Sequence, residues 1–167
     1  MKIWVSQKED QNMEEFSERF TKVFSLAAFI CNRHIINHMR RVSSGVGLDL
    51  ETSFIWGILA HMNVSRDMHP GITPEDIMNP DGTYTAKLTP VRLIDVSVVS
   101  SLPRETVRRR LIKLQEAGKV TKTSNGHWVI QETGVTQDAI EFTIETARQL
   151  INTSKQLEAL LSQVKLN

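Results

Sequence analysis

The chain of 167 residues has a single cysteine, Cys31, so no disulfide can close within it, and a reducing compartment, by default the cytoplasm, is the expectation. No apolar run approaches the roughly 20 residues that a helix needs to cross a bilayer, and residues 1–10 are too polar and too mixed in charge for a secretory leader. Membrane insertion is therefore not expected. Catalytic signatures are missing as well. The sequence contains no Walker-type phosphate loop, no Gly-x-Ser-x-Gly, no His-Glu-x-x-His and no close cysteine pair, and its carboxylates are scattered over faces that read as solvated. Neither an enzyme nor a cofactor is expected. Repeats and low-complexity segments are also lacking. Net charge is small too, with 20 Lys or Arg against 19 Asp or Glu.

That near-neutral total hides a concentration. Between Pro103 and His127 stand seven Lys or Arg and two acids, a local balance of +5, so the remainder of the chain sums to −4 against a total of +1. Positive charge gathered on one short segment suits a face that displaces counterions from a polyanion. Within the segment, Val107, Leu111 and Leu114 recur at i, i+4 and i+7 and form one apolar stripe, while Glu105 and Arg109 project from the opposite side. Arg can donate a fork to guanine and Glu can accept from cytosine, so this face is chemically suited to reading base edges. The plainer alternative is a solvated or protein-binding helix on which Glu105 and Arg109 pair at i, i+4.

Along the chain, Met13, Phe16, Phe20, Val23, Ala27 and Ile30 step by three and four, with a second line at Phe24, Cys31, Ile35 and Met39. The spacing predicts one long helix over 13–42, with an apolar face too wide for a small domain to cover alone. Asp49 reads as the N-cap of a core helix carrying Phe54, Ile55, Ile58, Leu59 and Met62. Residues 63–81 are rich in turn formers, with one helical turn expected at Thr73-Pro74-Glu75-Asp76. A strand is expected over 83–88 after the Asp81-Gly82 turn, then a helix opening at Thr89-Pro90 and running to Ser100 with Val91, Ile94 and Val98 inward. A turn at Ser101-Leu102 leads into the basic helix, expected over 103–117 and stopped by Gly118. Two short strands flank Ser124-Asn125-Gly126 within 120–131, a hairpin signalled by Asn-Gly. Trp128 should anchor it, and Trp4 and Trp56 read as packing residues. A last long helix follows from Thr136 to about Val164, with Ile140, Ile144, Ala147 and Ile151 on one line and Leu150, Leu157, Leu160 and Leu161 on another.

The predicted architecture is mainly α with a small β wing: a winged helix-turn-helix at 49–132, flanked by helical dimerisation arms at 1–48 and 133–167. The run Ile94-Asp95-Val96-Ser97-Val98-Val99-Ser100-Ser101-Leu102-Pro103-Arg104-Glu105-Thr106-Val107-Arg108-Arg109 resembles the DNA-binding domain of the catabolite activator protein (Crp/FNR) family. The resemblance covers about residues 89–131. It implies that Arg104, Glu105 and Arg109 face the major groove and that Thr106 contacts a phosphate. Two departures stand out. Ser101 occupies the place where that family usually has a turn glycine, a site that tends toward positive φ. The residues before Ser43 show no succession of short strands, so the family's cyclic-nucleotide-binding barrel, and with it a cyclic-AMP response, is not carried over. The terminal helices are similar in arrangement to those of MarR-type regulators, which implies a homodimer.

Taken together, the expected partner is double-stranded DNA, bound by a homodimeric transcriptional regulator. Arg104, Glu105 and Arg109 are the candidate base readers and Thr106 a candidate phosphate contact, while Arg108 and Lys113 are expected on phosphate or in intramolecular pairs. Arg110, also off the central line, is expected on phosphate or in an intramolecular pair. Lys122, Asn125 and His127 are placed on the wing. Ile112, near the exposed face, should touch thymine methyls or pack on something. The competing reading is a winged-helix scaffold whose basic helix docks an acidic protein. Cys31, His34 and His38, at i, i+3 and i+7, share a helix face that could offer metal ligands, completed by His61 or His69, but the same residues suit a buried interface and no metal is expected.

Overall fold

A computed structural model describes residues 7–45, 47–65, 71–77, 79, 88–131 and 137–166. Trp4, His69, the Asp81-Gly82 turn and all of the strand expected over 83–88 except Leu88 lie outside them. The described elements are mainly helical with one small antiparallel sheet: α1 (Gln7–Lys22), α2 (Phe24–Gly45), α3 (Leu50–Val64), α4 (Pro74–Ile77), α5 (Leu93–Ser100), α6 (Arg104–Glu116), β1 (Val120–Lys122), β2 (Trp128–Ile130) and α7 (Gln137–Ser162). The chain divides into two compact units, residues 1–40 with 142–167, and residues 41–141. Most of the two terminal arms thus falls in one unit, while residues 41–48 and 133–141 fall in the other.

In the unit of 41–141, α3 packs on α5, α6 and β2, while α6 also meets β1. Ile55, Leu59, Val96, Val107, Leu111, Leu114 and Val120 are almost wholly buried there, joined by Val91 and Trp128. The stripe read from the basic segment is therefore the inner face of α6, and Trp128 does hold β2 to the core. Ile112 also packs against this cluster, which accounts for its apolar side chain. Burying side chains of this kind stabilises by about 1.5–3 kcal/mol each relative to exposure.

Local chemistry fixes the element ends. Asp49 caps α3, its Oδ1 accepting from the Thr52 N–H at 2.9 Å. At α4 the direction is reversed, with the Thr73 N–H and hydroxyl each donating to Asp76 Oδ2 at 2.9 Å. At the end of α6 the Gly118 N–H donates to the Gln115 carbonyl and the Lys119 N–H to the Leu114 carbonyl, with Gly118 at φ +68°. This six-to-one pattern needs a left-handed residue at Gly118. In the hairpin, Val120 pairs with Ile130 and Lys122 with Trp128. Its loop closes from the Gly126 N–H to the Thr123 carbonyl with Gly126 at φ +81°, so the glycine of Asn-Gly supplies the positive φ. A bridge from Val91 to Trp128 adds a third chain segment beside β2.

Three expectations are corrected. The helix predicted over 13–42 is two helices, because the ladder tightens at Val23: the Val23 N–H reaches the Phe20 carbonyl three residues back, and Leu26 and Ala27 both donate to the Val23 carbonyl. The helix predicted from Thr89 begins at Leu93, because Val91 exchanges both backbone hydrogen bonds with Trp128, at 3.0 and 2.7 Å, and is held extended. Val98, expected inward, is 71% exposed, since Val96 and Ser100 face the core instead.

The α5–α6 turn is strained at one residue. Ser101 lies at φ 58°, ψ 21°, the only non-glycine residue with positive φ among those described. Bonds around it hold this geometry: the Ser97 hydroxyl donates to the Leu102 carbonyl at 2.7 Å, and the Leu102 N–H donates to Ser100 Oγ at 3.3 Å. Left-handed backbone costs an L-residue about 1–2 kcal/mol and glycine little, offset by the greater chain entropy of glycine when unfolded. Ser101→Gly is expected to raise the unfolding free energy by roughly 0.5–1 kcal/mol in urea titration. A destabilised variant would show that the Ser101 side chain itself holds the turn.

Candidate nucleic-acid interface

With Val107, Leu111 and Leu114 turned into the core, α6 presents Arg104, Glu105, Arg108, Arg109 and Lys113 outward, and Thr106 is half-buried at its first turn. Arg108 grips Glu105 with both ends of its guanidinium, Nη2 to Oε1 at 2.7 Å and Nε to Oε2 at 2.8 Å. The pair that the plainer alternative placed between Glu105 and Arg109 is made instead at i, i+3 by Arg108. The Arg108 hydrogen bond, helped by the charge of Arg109, holds the Glu105 carboxyl below its usual range. Both partners are more than half exposed. Such pairs contribute little in water, so Glu105 can leave Arg108 for a better donor at small cost.

The other flank of α6 is engaged. Arg110 Nε lies 2.6 Å from Glu51 Oε1 and its Nη1 3.1 Å from Asp49 Oδ2, which also accepts from Lys113 Nζ at 2.7 Å. The cap of α3 is therefore also a clamp on α6. Lys113, then the Thr52 amide, hold the Asp49 carboxyl well below the usual carboxylate range. A depressed carboxyl contributes stability that is present above its unfolded value of about 3.9 and is lost as pH falls below it. The urea midpoint is expected to drop between pH 5 and pH 3, and to drop less in Asp49→Asn, which keeps a capping side chain without the charge. An identical drop in both proteins would remove Asp49 from the account.

Sequence spacing gives no hint of this clamp, since Asp49 and Lys113 are 64 residues apart. The same holds for Asn63, which sequence reading left among turn formers and which is fully buried at the end of α3. Its Nδ2 donates to the Thr89 carbonyl at 2.8 Å and to the Trp128 carbonyl at 3.3 Å, and its Oδ1 accepts from the Ile130 N–H at 2.9 Å. One amide thus fastens both the segment before α5 and β2 onto α3.

On the hairpin, Lys122 Nζ stands 5.5 Å from the Trp128 ring centroid, and Lys119 Nζ 4.7 Å from that of Trp56. Asn125 is exposed at the turn, while His127 is half-buried, its N–H donating to Thr123 Oγ1 at 3.0 Å. At the start of α5, Arg92 pairs with Asp95 at 2.7 Å, a further exposed cation in this unit that sequence reading did not single out. Among the described residues Arg104 and Arg109 make no ion pair and no side-chain hydrogen bond. No family model, curated protein or solved structure matches the chain.

Cys31, His34 and His38 do not converge: His34 Nδ1 meets Thr153 Oγ1 at 3.1 Å, and the His38 ring lies 6.1 Å from that of Phe142. Among the described residues no group of three His, Cys, Asp or Glu is placed to hold a metal, and no helix is long and apolar enough to cross a membrane.

Proposed function

We propose that the chain is a sequence-specific DNA-binding transcriptional regulator that acts as a homodimer. In this reading α5, the Ser101-Leu102 turn and α6 form a helix-turn-helix, and β1 and β2 are its wing. α6 enters the major groove and the hairpin lies on the backbone or in the minor groove. One observation carries the reading: Arg104 and Arg109 are exposed and lack partners among the described residues, on a helix whose opposite face is locked in the core. Two unpaired guanidinium groups on a rigid helix suit base recognition, because the backbone that carries them is already ordered and no ion pair has to be broken first. The left-handed Ser101 supports it further, as the turn site where the Crp/FNR resemblance implies glycine is the site that adopts positive φ.

Selection from a random duplex library tests the reading. A pseudo-palindromic site is expected, with affinity that falls steeply as salt rises. Equal, salt-insensitive binding to every duplex would overturn it, and capture of an acidic protein in place of DNA would favour the scaffold.

A further inference from the structure

In the unit of 1–40 and 142–167, Ala27 and Leu161 are the only buried apolar side chains among the described residues. Leu161 lines an open groove of about 710 Å³ between α1 and α7, within the roughly 300–1,000 Å³ usual for small-molecule sites. Phe16 and Leu157 supply the rest of its apolar lining, and Glu15, Arg19 and Glu158 its charges. Phe16 stays 43% exposed, although its ring lies 5.8 Å from that of Phe20. The charges do not cancel. Arg19 commits all three guanidinium nitrogens, Nε and Nη2 to Glu15 Oε1 at 3.0 and 2.7 Å and Nη1 to the Leu161 and Val164 carbonyls at the end of α7. Glu15 is thus matched by Arg19. Among the described residues Glu158 accepts from the Ser154 hydroxyl at 2.9 Å and meets no cation. One groove therefore brings together an aromatic ring, two leucines and an uncompensated carboxylate.

We propose that this groove binds a small lipophilic monocation, a quaternary ammonium, a phosphonium or a protonated amine carried on an aromatic or branched alkyl body. The body displaces water from Phe16, Leu157 and Leu161, and the charge faces the Phe16 ring and the Glu158 carboxylate. The groove runs along the last turns of α7, where the carbonyl end of a helix favours a cation further. A lipophilic anion meets the opposite field. A small hydrophilic cation gains only the weak attraction of an exposed carboxylate. The few residues that line the groove also point to a small molecule, since a stable protein interface takes about 20–30 residues a side. All of these residues belong to the unit of 1–40 and 142–167, so the site stands whether or not α6 reads DNA.

Titration calorimetry of the purified full chain, without DNA, tests it with tetraphenylphosphonium and tetraphenylborate, ions of one shape and opposite charge. The phosphonium is expected to bind once per chain and at least about tenfold more tightly than the borate. Glu158→Gln weakens the phosphonium about fivefold without weakening the borate, and Glu158→Lys reverses the preference. Phe16→Leu keeps the apolar contact but removes the π face, and weakens the phosphonium about threefold. Both positions are exposed, so the substitutions leave the fold in place. A chain that binds no phosphonium, or that binds the two ions equally, overturns the proposal. So does a phosphonium affinity that ignores both Glu158→Gln and Phe16→Leu, because the ion then sits elsewhere. None of these outcomes touches the DNA reading, which duplex selection decides separately.

Discussion

Asn63→Ala is expected to lower the unfolding free energy of the 41–141 unit by about 2–4 kcal/mol, a large loss for an uncharged polar side chain. Truncation removes three hydrogen bonds at once and leaves the Ile130 N–H and the Thr89 carbonyl without the amide that satisfies them. Trp128 keeps one bond, since its carbonyl also accepts from the Val91 N–H. The loss therefore falls short of three full desolvation penalties. Urea unfolding followed by tryptophan emission reads the change, because Trp56 and Trp128 both lie in this unit. Asn63→Asp keeps an acceptor for Ile130 but loses both donated bonds and buries a charge, so it should be no better than alanine. A loss below about 1 kcal/mol would mean that water replaces the amide and that α3 is not tied to β2 through it.

The second large effect concerns recognition. Arg109→Ala is expected to reduce affinity for the selected site by about ten- to a hundredfold while changing binding to scrambled duplex little, so that sequence preference collapses. Arg104→Ala should behave alike. Lys122→Ala, on the hairpin, should weaken every duplex equally and lower the salt slope by about one ion. The contrast rests on position: Arg109 leaves the exposed face of a rigid helix, whereas Lys122 lies over an indole and offers one mobile charge. Fluorescence anisotropy on both duplexes at two salt concentrations separates the cases. If the two variants lost selectivity to the same degree, α6 would not be the reading element.

What was legible in the sequence was local. Val107, Leu111 and Leu114 announce the inner face of α6 because a helix repeats every 3.6 residues and the chain there has one apolar stripe. Asp49, Gly118 and Asn125-Gly126 mark the ends of elements because capping and positive φ demand particular residues. The rest depends on partners far along the chain. Asn63 reads as a turn residue until β2 comes within reach, and Lys113 reads equally as a phosphate contact or an intramolecular partner until Asp49 is beside it. The arms are legible only in part, for another reason. Periodicity in α2 and α7 marks the apolar stripes correctly but cannot say whether they face their own unit or the outside, and here His34 and Thr153 occupy the contact instead. At Val23 a continuous apolar pattern conceals a tightened turn, since side-chain spacing survives a local slip of the backbone ladder.

The pairing of Asn63 with Ile130 also sets an order of events at the ribosome. The end of α3 emerges 67 residues before the amide that completes it, and Val91 emerges well before Trp128. Nascent chains shorter than about Gln131 therefore carry α3, α5 and α6 with the bonds of Asn63 and Val91 to β2 still open, and the hairpin is the last part of the unit to be fastened.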